Sequence, residues 1–351
     1  MTPQSLTTRT LDEAIAAAVA RVGERARTHG GAMARLGEAL IEATTGGKRV
    51  RPALVVRSCA AFGGDPDASE TLQVAASFEL LHTAFLLHDD VIDHDTLRRG
   101  VPNVSARLAA WASEQGADAA SAADLGAAAA ILGGDLLLAE AQRLILRTPV
   151  DDERLDALAE LFSQSLAVTV AGELADVAHA ALGQRAGASA ILTATHDKTA
   201  VYSFAAPLTA GAVLAGATAT QRTTMRACGS DLGLAFQLVD DLIGAFGSQQ
   251  QAGKEPGADL REAKQTALVA LARESAQWPG VRDALAQAHT GPIAVRAAQE
   301  ALGASGARGD LEKLARTTLT RATARASEGD LPDAAIALVD EIAALVEARI
   351  P

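Results

Sequence analysis

Apolar residues recur at helical spacing along almost the whole chain, and no run alternates apolar and polar positions with the β-branched residues of a half-buried strand. A sheet-based fold is therefore excluded, and the chain must bury its apolar stripes by packing helix on helix. The first helix shows the signals agreeing. Thr10-Leu11-Asp12-Glu13 reads as a capping box, and Leu11, Ile15, Val19 and Val22 follow as one stripe, predicting a helix over 10–28. Further helices are predicted over 32–45, 51–62, 70–93, 125–146, 152–182, 188–205, 208–216, 221–246, 259–275, 279–289, 292–303, 309–328 and 333–349. No composition shift or fixed-period repeat divides residues 1–351, so the expectation is a single all-α domain, a large helical bundle with a central cavity. Two connections look long and polar, 98–124 and 247–258, and the second is a candidate lid.

Charge narrows the function classes. The chain carries 31 Lys+Arg against 43 Asp+Glu, a formal net charge of -12, which argues against nucleic acid or an anionic membrane surface as partner. The polar start, 1–9, lacks the apolar core of a secretion signal. The longest apolar stretch, 204–219, is interrupted by Pro207 and falls short of the roughly 18 residues of a membrane span, so no integral membrane segment is expected. Cys59 and Cys228 match no metal or redox spacing, and a reducing, cytoplasmic setting is the simplest reading.

Chemistry concentrates in two acidic clusters. Leu86-Leu87-His88-Asp89-Asp90-Val91-Ile92-Asp93-His94-Asp95 closes an apolar helix, with Asp89 and Asp93 stacked one turn apart and Asp90 on a neighbouring ridge. Like charges at a helix C-terminus are disfavoured by the macrodipole as well as by each other, and a hard cation such as Mg²⁺ converts that repulsion into coordination. By contrast, Asp151-Asp152-Glu153 follows Pro149 and simply caps a helix start. The second cluster, Phe236-Gln237-Leu238-Val239-Asp240-Asp241, lies inside another apolar helix; paired with the first, it points to two helices presenting carboxylates to one cavity.

Cations accompany the carboxylates. Gly46-Gly47-Lys48-Arg49-Val50-Arg51 is a glycine-led basic turn before a helix, a place where N–H groups and side chains converge on phosphate oxygens. Arg98-Arg99-Gly100 starts five residues after Asp93, Lys198-Thr199 lies within an apolar helix, and Lys254 follows the second cluster. The chain has 26 Arg and only 5 Lys, yet Lys48, Lys198, Lys254 and Lys264 fall in or beside these motifs, where a compact ammonium suits a tight phosphate site.

The ordered set GGKRVRP (46–52), LLHDDVIDHDTLRRG (86–100), GD (134–135), KT (198–199), FQLVDD (236–241) and GKEPGADLREAKQT (253–266) resembles the trans-isoprenyl diphosphate synthases, or polyprenyl synthetases, over about residues 30–345. The resemblance implies an all-α bundle, usually a homodimer. It joins isopentenyl diphosphate head to tail with an allylic diphosphate (dimethylallyl, geranyl or farnesyl), using about three Mg²⁺ per active site. Carried over by motif, Asp89, Asp90, Asp93 and Asp95 match the first metal-binding set, and Asp240 and Asp241 the second. Lys48, Arg51, His82 and Arg99 match the isopentenyl diphosphate pocket, and Arg98 an allylic-diphosphate contact. Lys198, Thr199, Gln237, Lys254 and Lys264 match the end that holds the leaving diphosphate. Ala84 and Phe85 occupy the positions that floor the product cavity, and the small Ala84 favours a geranylgeranyl product over farnesyl or a longer chain.

One departure stands out: the second motif normally ends in a third Asp, and here that position is Gly244, so weaker binding of one Mg²⁺ is expected. A class I terpene cyclase lacks use for the basic turn at Lys48 and Arg51, and a non-catalytic subunit of a heteromeric synthase lacks the first acidic motif; both readings rank below the synthase.

Overall fold

The computed structural model describes residues 3–182, 187–252, 257–262 and 264–351. These residues are all-α apart from one two-stranded hairpin. They gather into two compact units, residues 1–162 with 213–216, and residues 163–212 with 217–351.

The first unit holds α1 (Pro3–Arg27), α2 (Gly31–Ala43), α3 (Val50–Ala61), α4 (Ser69–Ile92), the hairpin β1 (Leu97–Arg98) and β2 (Val101–Pro102), α5 (Val104–Glu114), α6 (Ala119–Leu146) and the start of α7 (Asp152–Ala181). α4 is buried on nearly all sides, with Phe78, Leu80 and Leu81 in the core beside Ile15 of α1, Leu40 of α2 and Leu137 of α6. Arg49 ties three elements together. Its guanidinium donates to Asp12 at 2.8 Å, to the buried Glu79 at 2.6 Å and to the Thr44 carbonyl at 2.9 Å. The buried Glu140 of α6 accepts from Arg21 of α1 at 2.9 Å and from Arg143, and these bonds outweigh its burial and hold its carboxyl below the ordinary value. α6 is long and apolar enough to cross a membrane by length and composition, but Ala130, Leu137, Ala141 and Ile145 lie buried in the helical core.

The second unit continues α7 and adds α8 (Ala188–Thr195), a π-helical segment (His196–Ala205), α9 (Ala206–Leu214, its last two residues belonging to the first unit), α10 (Ala219–Phe246), α11 (Gln249–Ala252), α12 (Ala258–Arg261), α13 (Ala267–Arg273), α14 (Trp278–Gln287), α15 (Pro292–Ala304), α16 (Ala307–Glu328) and α17 (Asp333–Glu347). α10 is its axis. A Cβ at Gly229 or Gly233 would stand 2.7 Å from the Cα of Ala205 or Ala200, so only glycine lets α10 lie this close to the π-helical segment. Arg321 and Arg325 of α16 converge on the buried Asp231 of α10. Both cysteines are free and buried, and burial pushes the Cys228 thiol up to about 11.

Several expected boundaries move. The first helix starts at Pro3, so Thr10 lies within it rather than capping it; proline is well suited to a first helical turn. The supposed loop 98–124 contains the hairpin, α5 capped by Asn103 (which accepts from Ala106 N–H at 2.9 Å), and the first turns of α6 capped by Asp118. Pro207 does not break the chain between 205 and 208. The wider π-helical turn just before it accommodates the ring and the missing N–H, so the backbone stays helical from Ala188 to Leu214. The expected helix 259–275 is two helices, α12 and α13, because Thr266 caps a new start by accepting from Val269 N–H.

The glycine contact yields a test. Gly233→Ala forces a methyl into Ala200 and should destabilise the protein by about 1–3 kcal/mol, read as a lower denaturation midpoint in urea. An unchanged midpoint would show that the two helices separate freely.

Candidate active site

The apolar run of α4 carries the first acidic cluster to the helix end. Asp89 and Asp90 occupy the last turn, Asp93 is the C-cap, and His94 turns the chain with φ 57°. The Asp95 N–H returns to the Asp90 carbonyl at 2.9 Å and the His94 N–H to that of Val91 at 3.3 Å, a Schellman closure. The chain then folds back through a hairpin whose central residues, Arg99 (φ 55°) and Gly100 (φ 79°), both adopt the left-handed conformation of a type I′ turn. Asn103 fixes this return by donating to the Asp95 carbonyl at 2.6 Å.

The consequence is an arginine set against the carboxylates. Arg98 donates to Asp90 through Nε at 2.9 Å and again through Nη2, and lies 3.5 Å from Asp89 and 3.7 Å from Asp95. Burial raises the Asp90 carboxyl above its ordinary value, against the pull of Arg98. Burial opposes the Arg98 charge in turn, but Asp90 and its neighbours hold the guanidinium above its usual value. Arg98, expected as a substrate contact, is thus the counter-ion of the first cluster.

Beside it opens a pocket of ≈ 160 Å³ within the first unit, lined among others by Glu79, His82, Leu86, Asp90, Arg98 and Arg99. Arg99 lies over Gly47 of the basic turn, where a Cβ would stand 3.1 Å from its guanidinium. His82 is pushed well below the ordinary histidine value, first by burial and then by Arg51, Arg99 and Arg98. Arg51, His82 and Arg99 are therefore brought together as expected. Lys48, on the same turn, is exposed, and Arg49 is taken up by the fold. Ala84 is buried and Phe85 half-buried. Gly134 of the GD pair serves packing, since a Cβ there would overlap the His88 ring, whose Nε2 stands 3.2 Å from the Ile131 carbonyl oxygen and 3.5 Å from the exposed Asp135.

In the second unit Lys198 sits on the π-helical segment, its Nζ 3.0 Å from Glu173 and 3.1 Å from Asp176 of α7. Gly172 leaves room for that segment's backbone, and His196 bridges Asp197 at 2.7 Å and Ser230 of α10 at 2.5 Å. Thr199 is half-buried. On α10 the two aspartates of the second cluster part company. Asp240 is exposed and accepts from Arg349 at 3.2 Å, while Asp241 is buried, accepting from Ala267 N–H at 3.1 Å and Gln237 at 3.2 Å. Burial pushes Asp241 up to about 7 despite those two bonds. Lys264 lies 3.2 Å from Glu262 and 4.0 Å from Asp259. Lys254 lies outside the described residues.

Among the described residues no three His, Cys, Asp or Glu side chains gather closely enough to hold a metal by themselves. The exposed or half-buried carboxylates Asp89, Asp93 and Asp240 still fit Mg²⁺, which takes one or two protein carboxylates and completes its octahedron with water and phosphate oxygens. Sequence reasoning missed Glu173 and Asp176 around Lys198 and Asn103 behind the hairpin, because none belongs to a contiguous motif; Asp259 lies inside the 253–266 motif but is not singled out by it.

The polyprenyl synthetase family model matches residues 34–302. Geranylgeranyl diphosphate synthase of Sulfolobus acidocaldarius is 33% identical over 230 residues, 64% of this chain and 63% of the relative. (2E,6E)-Farnesyl diphosphate synthase of Mycobacterium bovis is 36% identical over 220 residues, 63% of this chain and 55% of the relative. The matches thus span less than two thirds of these relatives' lengths. Geranylgeranyl pyrophosphate synthase from Corynebacterium glutamicum, complexed with isoprenyl diphosphate and magnesium, superposes with a TM-score of 0.88 at 26% identity, covering 99% of this chain and 100% of that one.

The depressed His82 yields a pH prediction. A histidine whose folded pKa is lowered binds fewer protons than the unfolded chain once pH falls below about 6.5, so stability is lost as pH drops through that value. His82→Gln should shrink the fall in thermal midpoint between pH 7 and pH 5. A fall as large as the wild type's would remove His82 as its source.

Proposed function

The chain belongs to the polyprenyl synthetase family, and from that premise we propose that it condenses isopentenyl diphosphate with an allylic diphosphate to give a trans-polyprenyl diphosphate. The observation that carries the reading is the first-unit pocket, where Arg99 and His82, whose protonation is disfavoured by burial and by Arg51, Arg99 and Arg98, line a concavity next to carboxylates suited to a hard cation. Guanidinium groups recognise a diphosphate by paired donation, and the neutral imidazole adds a directed hydrogen bond without a charge of its own.

In the proposed reaction the allylic C–O bond breaks, a new C–C bond forms to the terminal methylene carbon of isopentenyl diphosphate, and a proton leaves to the released diphosphate. Magnesium, when bound, supplies positive charge to the departing diphosphate. Asp89 and Asp93 of the first unit, and Asp240 of the second, would be the residues that hold it, with Asp90 and Asp95 in support through Arg98, and Asp241 bonded to the start of α13. Lys198, with Thr199 and Gln237, serves the leaving group, and Lys48 with Arg51 serves isopentenyl diphosphate. Lys254 and Lys264 take the role the resemblance assigns them. Residues 1–351 are proposed as a single catalytic domain. A dry apolar wall protects the allylic cation from water, which the Ala/Leu-rich core supplies.

Product length is proposed as geranylgeranyl, resting on the small Ala84; the relatives' own names span geranylgeranyl, farnesyl and nonaprenyl products. A homodimer is proposed from the exposed stripe Val170, Leu174 and Val177, spaced along one face of α7. Light scattering should give twice the 35.8 kDa chain mass, and Leu174→Glu should give the monomer; a wild-type monomer would end the dimer reading.

The decisive assay incubates the purified chain with isopentenyl diphosphate and each allylic primer in turn, with chromatography of the dephosphorylated products. Mg²⁺-dependent geranylgeraniol is expected, Asp89→Ala should lower turnover by about 100-fold or more, and Phe85→Ala should lengthen the product. No condensation with any primer would end the proposal, and an unchanged product from Phe85→Ala would remove Phe85 as the floor.

A further inference from the structure

One carboxylate in the first-unit pocket has no part in the reaction proposed above. Glu79 lines that pocket together with Arg98 and Arg99, one turn of α4 before His82. A bare carboxylate at this wall would repel a diphosphate, because charges shielded from water are poorly screened. Arg49 meets it. Although Arg49 stands between Lys48 and Arg51 in the basic turn, its guanidinium is directed to acceptors within the protein. Nη1 donates to Glu79 at 2.6 Å, Nε to Asp12 of α1 at 2.8 Å and Nη2 to the Thr44 carbonyl at 2.9 Å. We propose that Arg49 is a positioning residue for isopentenyl diphosphate that acts through Glu79: it cancels the carboxylate's charge at the pocket wall and so lets the pocket's cations act on the diphosphate, an inference that rests on the synthase reading above.

Burial and backbone both fit this role. The side chains of Glu79 and Arg49 are 7% and 11% exposed, so the pair is largely out of water, and removing one member would leave the other's charge buried without its partner. All three guanidinium nitrogens of Arg49 have acceptors in the fold, whereas Lys48 beside it is exposed. Arg49 reaches α4 because it adopts φ 49° and ψ 37° just before α3 begins, a left-handed conformation uncommon for a residue with a Cβ. Gly46 (φ 73°) and Gly47 (φ 98°) reverse the chain ahead of it, and the bond to Thr44, which closes α2, ties the two ends of that reversal. The turn thus divides its cations. Arg51 acts on His82 of the pocket, and Arg49 offsets the acid one turn before it.

Calorimetry of isopentenyl diphosphate on the full chain, without Mg²⁺ and at about pH 8.5 where carboxyls are ionised, tests this without turnover. Arg49→Gln bares Glu79 and should weaken binding by roughly 10–100-fold. Glu79→Gln leaves the Arg49 charge uncancelled and should tighten binding severalfold. The double variant R49Q/E79Q removes both charges and should bind within about threefold of the wild type. A folded double variant as weak as Arg49→Gln would make Arg49 a direct ligand or a support of the fold and overturn the proposal. Undiminished binding by Arg49→Gln, with Arg51→Gln defective, would overturn it too, and either result leaves the synthase reading standing. No binding by the wild type would overturn that reading and this inference with it. Thermal midpoints report folding; if Arg49→Gln does not fold, Glu79→Gln decides, and unchanged or weaker binding by it counts against the proposal.

Discussion

Carboxylates at the wrong end of an apolar helix are the constraint around which the first unit is arranged. α4 is driven into the core by its apolar residues, and its last turn then presents Asp89 and Asp90 where the helix dipole is already negative, with Asp93 at the cap. Such an arrangement persists only with positive charge nearby. The left-handed His94, the type I′ hairpin and Asn103 together return Arg98 to that spot. The same turn delivers Arg99 to the basic loop at Gly47, so one backbone reversal places both arginines of the pocket.

In the second unit close helix packing does the equivalent work. Glycines at 172, 229 and 233 let the π-helical segment approach α7 and α10, bringing Lys198 to Glu173 and Asp176. Asp240 and Asp241, adjacent in sequence, differ because a helix turns about 100° per residue. One reaches solvent and a cation, the other supports the start of α13.

Much of this is legible in the sequence, and the parts that are not share a cause. Helix periodicity and the two acidic clusters follow from local pattern, and the grouping of Arg51, His82 and Arg99 is an implication of the family resemblance. Pro207 looks like a break because local rules do not anticipate a π-helical turn, and α5 lies in a stretch read as a connection although Val104, Leu108 and Ala112 form its buried stripe. Arg98 as counter-ion, the carboxylates around Lys198 and the placement of Asp259 depend on contacts between residues distant in sequence.

The acidic clusters are, on this account, devices for holding a diphosphate through metal ions. Anomalous diffraction from crystals grown with Mn²⁺ and inorganic diphosphate tests that claim most directly. The expected result is metal peaks joining diphosphate oxygens to Asp89 and Asp93 and to Asp240. Diphosphate bound with no metal at either cluster would contradict it.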